Sequence, residues 1–401
     1  MTQMNITLDT DFFIDLFKLD KNEAFARLME TILNQFLQAE STEALRVNRY
    51  ERTSERTDSR NGIRARSINT RIGKLRLLVP RHRNHVFHST LLENYQRSEL
   101  ALYTTMMEMV IQGVSTRKIK KITEEMCGTS FSKSTISNLC KNLDEAVQAF
   151  KNRLLDKPYP FVMADAMYIK VREDSAVRSK ALLVALGIDT DGRKEILGFE
   201  VCEGESEHHW EGFFTSLKQR GLTGVDLITS DQHAGLVAAI RKVFQGSAWQ
   251  RCQVHFARNI VNDAPKSCQK ELKVLLREMF NQETVEKARE KRKEILEMYQ
   301  KKAAKSMATL DEGFEDAMNV MCLPPKYRKI LRTSNLLERE NQELRRREKT
   351  IRIFPNVASA VRLLGAVLQD HHDSWSMKSR VFNTEEYLQH REDYVRTLRI
   401  A

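Results

Sequence analysis

MADAMYIKV, residues 163–171, has the composition of a strand and one residue that a buried strand should not carry. Ala164, Ala166, Tyr168 and Val171 suit extended chain, and the preceding YPFV is apolar and β-prone. Asp165 stands in the middle. A carboxylate in a buried strand is costly unless something neutralises it.

Around this stretch, strands and helices alternate. SKALLVALGIDTDGRKEILGFEVCEGE reads as two further strands joined at DTDG, and SEHHWEGFFTSLKQRG as a helix ending at Gly221. VDLITSD is a short apolar strand ending in Asp231, AGLVAAIRKVF a helix and AWQRCQVHF a fifth strand. Three strands, a helix, a strand, a helix and a strand is the element order of an RNase H-like sheet. There the fourth strand neighbours the first, so Asp165 and Asp231 are expected side by side. Two such carboxylates repel unless protonated or bridged by cations. A divalent metal pair compensates them and also serves phosphodiester cleavage. Hard oxygen ligands suit Mg²⁺ or Mn²⁺.

A third acid is expected from RTSNLLERENQELRRREKTIRIFPN, which offers Glu338, Glu340, Glu343 and Glu348. Glu338, Asn341 and Arg345 share one helical face at i, i+3 and i+7, joining a metal ligand, an amide and a guanidinium. Glu340 points about 200° away. The same Glu/Arg alternation describes an exposed salt-bridge helix, and periodicity alone favours that description.

The rest of the chain sets the context. Its 401 residues exceed one ordinary core, so two to four domains are expected. No run approaches the roughly 18–20 apolar residues of a membrane helix. MTQMNITLDTDFF lacks the basic-then-apolar pattern of a secretory signal. Six cysteines (127, 140, 202, 252, 268, 322) form no CxxC pair, which fits a reducing compartment. The net charge of +11 points to a polyanionic partner. Residues 46–83 hold twelve Arg/Lys against three Asp/Glu, or +9 of that excess. RNG and RIGK are turn signals there, and SINTRIGKLRLLVP alternates like a strand. A phosphate-contacting ribbon is expected, carried by Arg60, Arg64, Arg66, Arg71, Lys74 and Arg81.

Residues 8–45 read as a helix with Phe25, Met29, Ile32 and Phe36 in a stripe, suited to its own domain or to a dimer partner. STRKIKKITEEM, capped at Ser115, then CGTSFS with Gly128, then SKSTISNLCKNL, capped at Ser132 or Ser134, make a helix-turn-helix pattern. Arg117, Lys118, Lys133, Ser134, Thr135, Ser137 and Asn138 would face DNA. Residues 256–334 read as polar helices without a strand, whose lysine-rich segment suits solvent. VASAVRLLGAVLQDHHDSW is a closing amphipathic helix. Trp210 and Trp249 read as core, and His208 and His209 as surface.

The stretches DAMYIKVR, W..FF..L..RGL.GVDLITSDQHAGL, WQRCQVHFARN and TSNLLERENQELRRR....FPN, with the upstream RNG.R.R...T.IGKLRLLVPRHR and GVSTRKIKKITEEMCGTSFSKSTIS, resemble the Mutator-like transposases of bacterial insertion sequences. The resemblance runs from about residue 45 to the C-terminus and keeps the motif order. It implies a DDE triad of Asp165, Asp231 and Glu338 on an RNase H-like α/β core, interrupted by an all-α insertion. The organisation expected is a helical dimerisation region (1–45), a basic β-ribbon (46–98), a helix-turn-helix domain (99–156), the first part of the core (157–255), the insertion (256–334), and the last part of the core with C-terminal helices (335–401). Cys252 and His255 match the family's CQVH, with a packing or hydrogen-bonding role favoured over zinc. His233 is expected near the metals.

What the resemblance implies is an insertion-sequence transposase of the bacterial cytoplasm and nucleoid. It would bind terminal inverted repeats and target duplex as a homodimer, with two Mg²⁺ or Mn²⁺ per site. It would cut a strand and transfer the freed 3′-hydroxyl, by a copy-out, paste-in route, with excision of both strands as the alternative. No small-molecule substrate or membrane is involved. The alternative is a domesticated, non-catalytic DNA-binding regulator, against which the three retained acids argue. A ribonuclease H-type nuclease is disfavoured by the large N-terminal region and the long insertion.

Overall fold

The chain divides into two compact units, Met1–Lys141 and Asn142–Ala401. The computed structural model describes residues 6–51, 53–70, 72–90, 98–127, 130–376 and 380–400.

In the first unit, Asp9 accepts the Asp11 N–H at 3.1 Å and opens helix α1 (Thr10–Leu16). Asp20 accepts the Glu23 N–H at 3.0 Å and opens α2 (Lys21–Leu45). The single helix expected over 8–45 is therefore two, because an aspartate that caps a new helix competes with continuation of the old one. Strands β1 (Arg60–Thr70) and β2 (Gly73–His82) form an antiparallel hairpin. Ile72, within RIGK, lies at its turn, as expected. RNG is instead part of β1, where the register shifts between Arg60 and Ile63 and Gly62 takes a φ of +80°. One hairpin face packs Ile68, Leu75 and Leu77 against Leu37, Leu33, Met29 and Ala26 of α2. Of the expected α2 stripe, Met29 joins this core, whereas Phe25 is 49% exposed. Helices α3 (Leu100–Ile111), α4 (Thr116–Cys127) and α5 (Lys133–Leu139) follow. They share a core of Leu102, Met106, Ile119, Phe131 and Ile136. Ser115 accepts the Lys118 N–H and Ser132 the Thr135 N–H, the two caps read from the sequence. Gly128 lies outside the described residues.

The second unit begins with α6 (Leu143–Asn152). A mixed five-stranded sheet follows: β3 (Phe161–Glu173), β4 (Ala176–Ile188) and β5 (Lys194–Cys202), then α7 (Glu207–Gln219), β6 (Leu227–Ser230), α8 (Ala234–Val243) and β7 (Ala248–Arg251). The order is β5-β4-β3-β6-β7. β4 is antiparallel to β3 and β5, while β6 is parallel to β3 and β7. The unbroken apolar run ALLVALGI of β4 is what a strand covered on both faces requires. Even-numbered β3 residues Val162 and Ala164 join Trp210, Phe213, Phe214, Leu236 and Ile240 of α7 and α8 in one core. Period-two alternation turns Asp165 to the opposite face.

β7 stops at Arg251, so the fifth strand is shorter than AWQRCQVHF. The Cys252 N–H closes the ladder on the Ser230 carbonyl at 2.7 Å, and its own carbonyl accepts the Phe256 N–H at 2.9 Å. Cys252 is thus the N-cap of α9 (Gln253–Asn262). Phe256 and Ile260, one helical turn apart, anchor α9 in a separate core shared with α10 (Lys266–Phe280), α11 (Val285–Tyr299) and α12 (Ala304–Met318). This helical burial overrides the β-prone composition of CQVHF.

α13 (Pro325–Leu331) leads to α14 (Asn335–Ile351), which packs on β3. The Phe354 N–H donates to the Lys170 carbonyl at 2.8 Å, and the Arg172 N–H donates to the Phe354 carbonyl at 2.8 Å. The FPN turn therefore anchors α14 on the edge of β3 that short β6 leaves open. α15 (Val357–Ser376) packs against β5 and α6. It does not close the chain as expected: α16 (Glu385–Gln389) and α17 (Arg391–Ile400) follow. They are secured by buried Asp226, which accepts the Tyr387 hydroxyl and both Arg391 Nε (2.7 Å) and Nη2 (2.9 Å). Cys140, Cys202, Cys252, Cys268 and Cys322 are free thiols. Among the described residues, no helix is long and apolar enough to cross a membrane.

Candidate active site

Parallel pairing of β3 with β6 matches Phe161 to Leu227, Val162 to Ile228 and Met163 to Thr229. The ladder stops there; Asp165 lies two residues further along β3, and Asp231 immediately follows the last β6 residue, Ser230. Burial, then the charge of Asp231, push the Asp165 carboxyl up to about 7, and Glu338 adds in the same direction. The Ala166 N–H (2.9 Å) and Asn341 Nδ2 (2.8 Å) donate to the two Asp165 oxygens. Asp165 of β3 is therefore within electrostatic reach of Asp231, at the end of β6, and of Glu338, in the first turn of α14.

α14 is half-buried rather than an exposed salt-bridge helix. Leu337, Asn341 and Leu344 face inward. Glu340, on the same inward side beside Leu344, is buried and accepts His371 Nδ1 at 2.6 Å. Arg345, two turns beyond Glu338, is exposed, and no contact joins it to the acids.

His255 sits in the first turn of α9, its Nε2 3.3 Å from Glu338 Oε1. That oxygen is otherwise buried without a hydrogen-bond partner. The hydrogen bond with Cys252, with the charges of Cys252, Glu338 and Asp165, pushes His255 up to about 9. Burial alone would raise the Cys252 thiol, but hydrogen bonds from His255 and Ser334 outweigh it and lower its pKa. Ser334, just before α14, donates both its N–H (3.5 Å) and its hydroxyl (3.4 Å) to Cys252 Sγ. Cys252, His255 and Glu338 each offer a ligand atom within 4.8 Å of the others.

His233 lies two residues beyond Asp231, its Nδ1 3.9 Å from Glu205 Oε2. Glu205 and its partner Tyr168 were not singled out in the sequence. Burial, and then the charge of Asp231, raise the Glu205 carboxyl against the opposing pull of His233, and the Tyr168 hydroxyl bonds to it. Gly235 makes this approach possible. A Cβ there would stand 2.6 Å from the Glu205 carbonyl oxygen and 2.7 Å from the Glu207 nitrogen.

In the first unit, Arg64, Arg66 and Arg81 line a cleft of about 660 Å³ on the hairpin. Lys74 is exposed as well. Arg60 is tethered, donating to the Val47 carbonyl at 3.1 Å and to Thr42 Oγ1 at 3.0 Å. Arg71 lies outside the described residues. Arg117, Lys118, Lys133, Ser134, Ser137 and Asn138 are exposed, and Thr135 is half-buried.

Fold and site together define a mixed α/β protein whose central sheet carries Asp165 within electrostatic reach of Asp231 and of Glu338 on the helix packed against it. The family model described as "Transposase, Mutator family" matches residues 1–378. The chain is 46% identical over 386 residues to the transposase for insertion sequence element IS256 in transposon Tn4001 of Staphylococcus aureus, covering 95% of this chain and 99% of that one. It is 41% identical over 374 residues to the transposase for insertion sequence element ISRM5 of Rhizobium meliloti, covering 93% and 94%. It is 37% identical over 360 residues to the transposase for insertion sequence element IS1081 of Mycobacterium tuberculosis, covering 89% and 87%. The chain belongs to the Mutator family of transposases.

Proposed function

We propose that the chain is the DNA transposase of a bacterial insertion sequence, working at the nucleoid, and that Asp165, Asp231 and Glu338 are its DDE triad on an RNase H-like core. In this reading residues 256–334 are the all-α insertion. The hairpin and the α4–α5 helix-turn-helix bind the terminal inverted repeats, and the protein acts as a homodimer. The observation that carries it is the placement of Asp165 on the central strand, bonded at 2.8 Å to Asn341 of the helix that bears Glu338, with burial and then Asp231 raising its carboxyl. Such a site favours a bound cation, and the Glu338 oxygen, buried with no hydrogen bond and only the His255 ring beside it, completes a hard-oxygen donor set that fits Mg²⁺ or Mn²⁺.

The three carboxylates would hold the ions, which supply charge that acidifies water and stabilises the leaving oxygen. Asn341 fixes the orientation of Asp165. The Cys252–His255 pair ties the start of α9 to the start of α14 by hydrogen bonds, which keeps Glu338 turned to the pocket. The freed 3′-hydroxyl attacks a second phosphodiester, so one ester forms as another breaks and no protein–DNA bond intervenes. The route is copy-out, paste-in.

The test is cleavage of labelled end DNA with Mg²⁺. Asp165→Asn, Asp231→Asn and Glu338→Gln should each abolish cleavage while DNA binding persists. Full activity in any one of them rejects that residue.

A further inference from the structure

A second basic surface lies beside the acids. The facing sides of α9, α10 and α13 enclose a cleft of about 700 Å³. Arg258, Lys273, Arg277, Lys329 and Arg332 line it, and no carboxylate does. Among the described residues, none of these five cations has a carboxylate oxygen within ion-pair distance. The neighbouring helix α11 shows what a self-neutralised surface looks like. Its Lys287, Arg289, Lys291 and Arg292 pair with Glu283, Glu315, Glu294 and Asp311 at 2.8, 2.7, 3.0 and 3.7 Å.

Three features point to an anion. Arg332 is half-buried, with its Nη1 donating only to neutral oxygens, the Phe280 carbonyl (3.1 Å) and Asn281 Oδ1 (2.9 Å). Thr333 also lines the cleft. It is 5% exposed, and its hydroxyl has no hydrogen-bond partner. An unmatched buried hydroxyl is costly unless a ligand satisfies it. The cleft also reaches Asn335, where the 17-residue α14 begins. Ser334 spends its hydroxyl on Cys252 rather than on capping this helix, so the positive end of α14 stays open to an anion.

We propose that this cleft grips the DNA backbone of the donor flank, the strand that continues beyond the scissile phosphodiester. The proposal rests on the transposase reading above. Glu338 sits in the first turn of α14 and His255 in the first turn of α9, so the same two helix starts border both the acids and the cleft. Lysine and arginine at phosphates bind without reading bases. That suits a flank, whose sequence changes with every insertion site.

The experiment is fluorescence anisotropy with the full chain in EDTA, so the outcome is independent of whether the acids catalyse. One duplex ends at the cut, and the other carries donor flank. The variant is Arg258→Gln/Arg277→Gln/Lys329→Gln, all three exposed, with folding checked by tryptophan fluorescence. Each phosphate contact contributes about 0.9 to the salt slope, so the slope for the flanked duplex should fall by up to about 3. Affinity for it should drop at least about tenfold at 0.15 M salt, while binding of the flankless end stays unchanged. Unchanged slope and affinity on flanked DNA, or equal weakening of both duplexes, overturns the proposal.

Discussion

Replacing Asp165 by Asn should make the metal-free protein more stable at alkaline pH. The carboxyl is raised from its ordinary 3.8 to about 7. At 1.36 kcal/mol per pH unit, ionising it in the folded protein costs about 4 kcal/mol. The sign follows from linkage. A folded pKa above the unfolded one means that stability is highest below 3.8 and is lost as pH rises to about 7. The amide is isosteric but carries one acceptor. It must give up one of the two hydrogen bonds that Asp165 accepts from Ala166 and Asn341, a loss of about 1 kcal/mol. The net gain at pH 8 is about 3 kcal/mol, or roughly 6–12 °C in Tm for a unit of this size. His255 adds a slope of the same sign at higher pH. Its stabilisation is present below 6.5 and lost as pH rises through about 9. Trp210, Trp249 and Trp375 all lie in the second unit, so tryptophan fluorescence during urea or thermal unfolding reports that unit alone. The wild-type protein should lose stability between pH 5 and 8 in EDTA and recover it with Mn²⁺. Asp165→Asn should flatten the lower part of that slope and respond little to Mn²⁺. A variant no more stable than wild type at pH 8 without metal would refute the desolvated, Asp231-facing carboxylate.

Other consequences can be checked separately. Gly235→Ala pushes a methyl into the Glu205 backbone, and should lower the cleavage rate by at least about tenfold with repeat binding unchanged, since a displacement of about 1 Å at a reacting centre is worth that much. Neutralising Arg64, Arg66 and Arg71 should weaken binding of end DNA and reduce its salt slope by up to about 3, measured by titration at several salt concentrations. Tyr387→Phe removes a hydroxyl donated to buried Asp226, and should destabilise the second unit by about 1.5–3 kcal/mol in urea unfolding.

The sheet was legible because β3, β4 and β6 are apolar runs bounded by turn residues, and Asp165 stood out as the misfit within them. The α14 face was legible in part. Helical spacing joins Glu338 to Asn341, but the inward face drifts away before it reaches Arg345. The partner of Glu340 was hidden, because His371 comes 31 residues later and meets it only through helix packing. The β-prone composition of CQVHF suggests a strand through Cys252, and its role as a helix cap depends on the core that receives Phe256 and Ile260. Glu205 looked like one more loop acid in CEGESEHH, and only its approach to Asp231 and His233 distinguishes it. The cleft cations were invisible for a similar reason. They are spread over three helices and separated along each, whereas the dense run EKAREKRKE of α11 looks basic yet is neutralised by its neighbours.

The most direct measurement of the central claim is anomalous diffraction at the manganese edge from crystals of the DNA complex grown with Mn²⁺. The account predicts manganese peaks at coordination distance from Asp165, Asp231 and Glu338 together. Manganese bound elsewhere, with these three carboxylates unliganded beside the DNA, would contradict it.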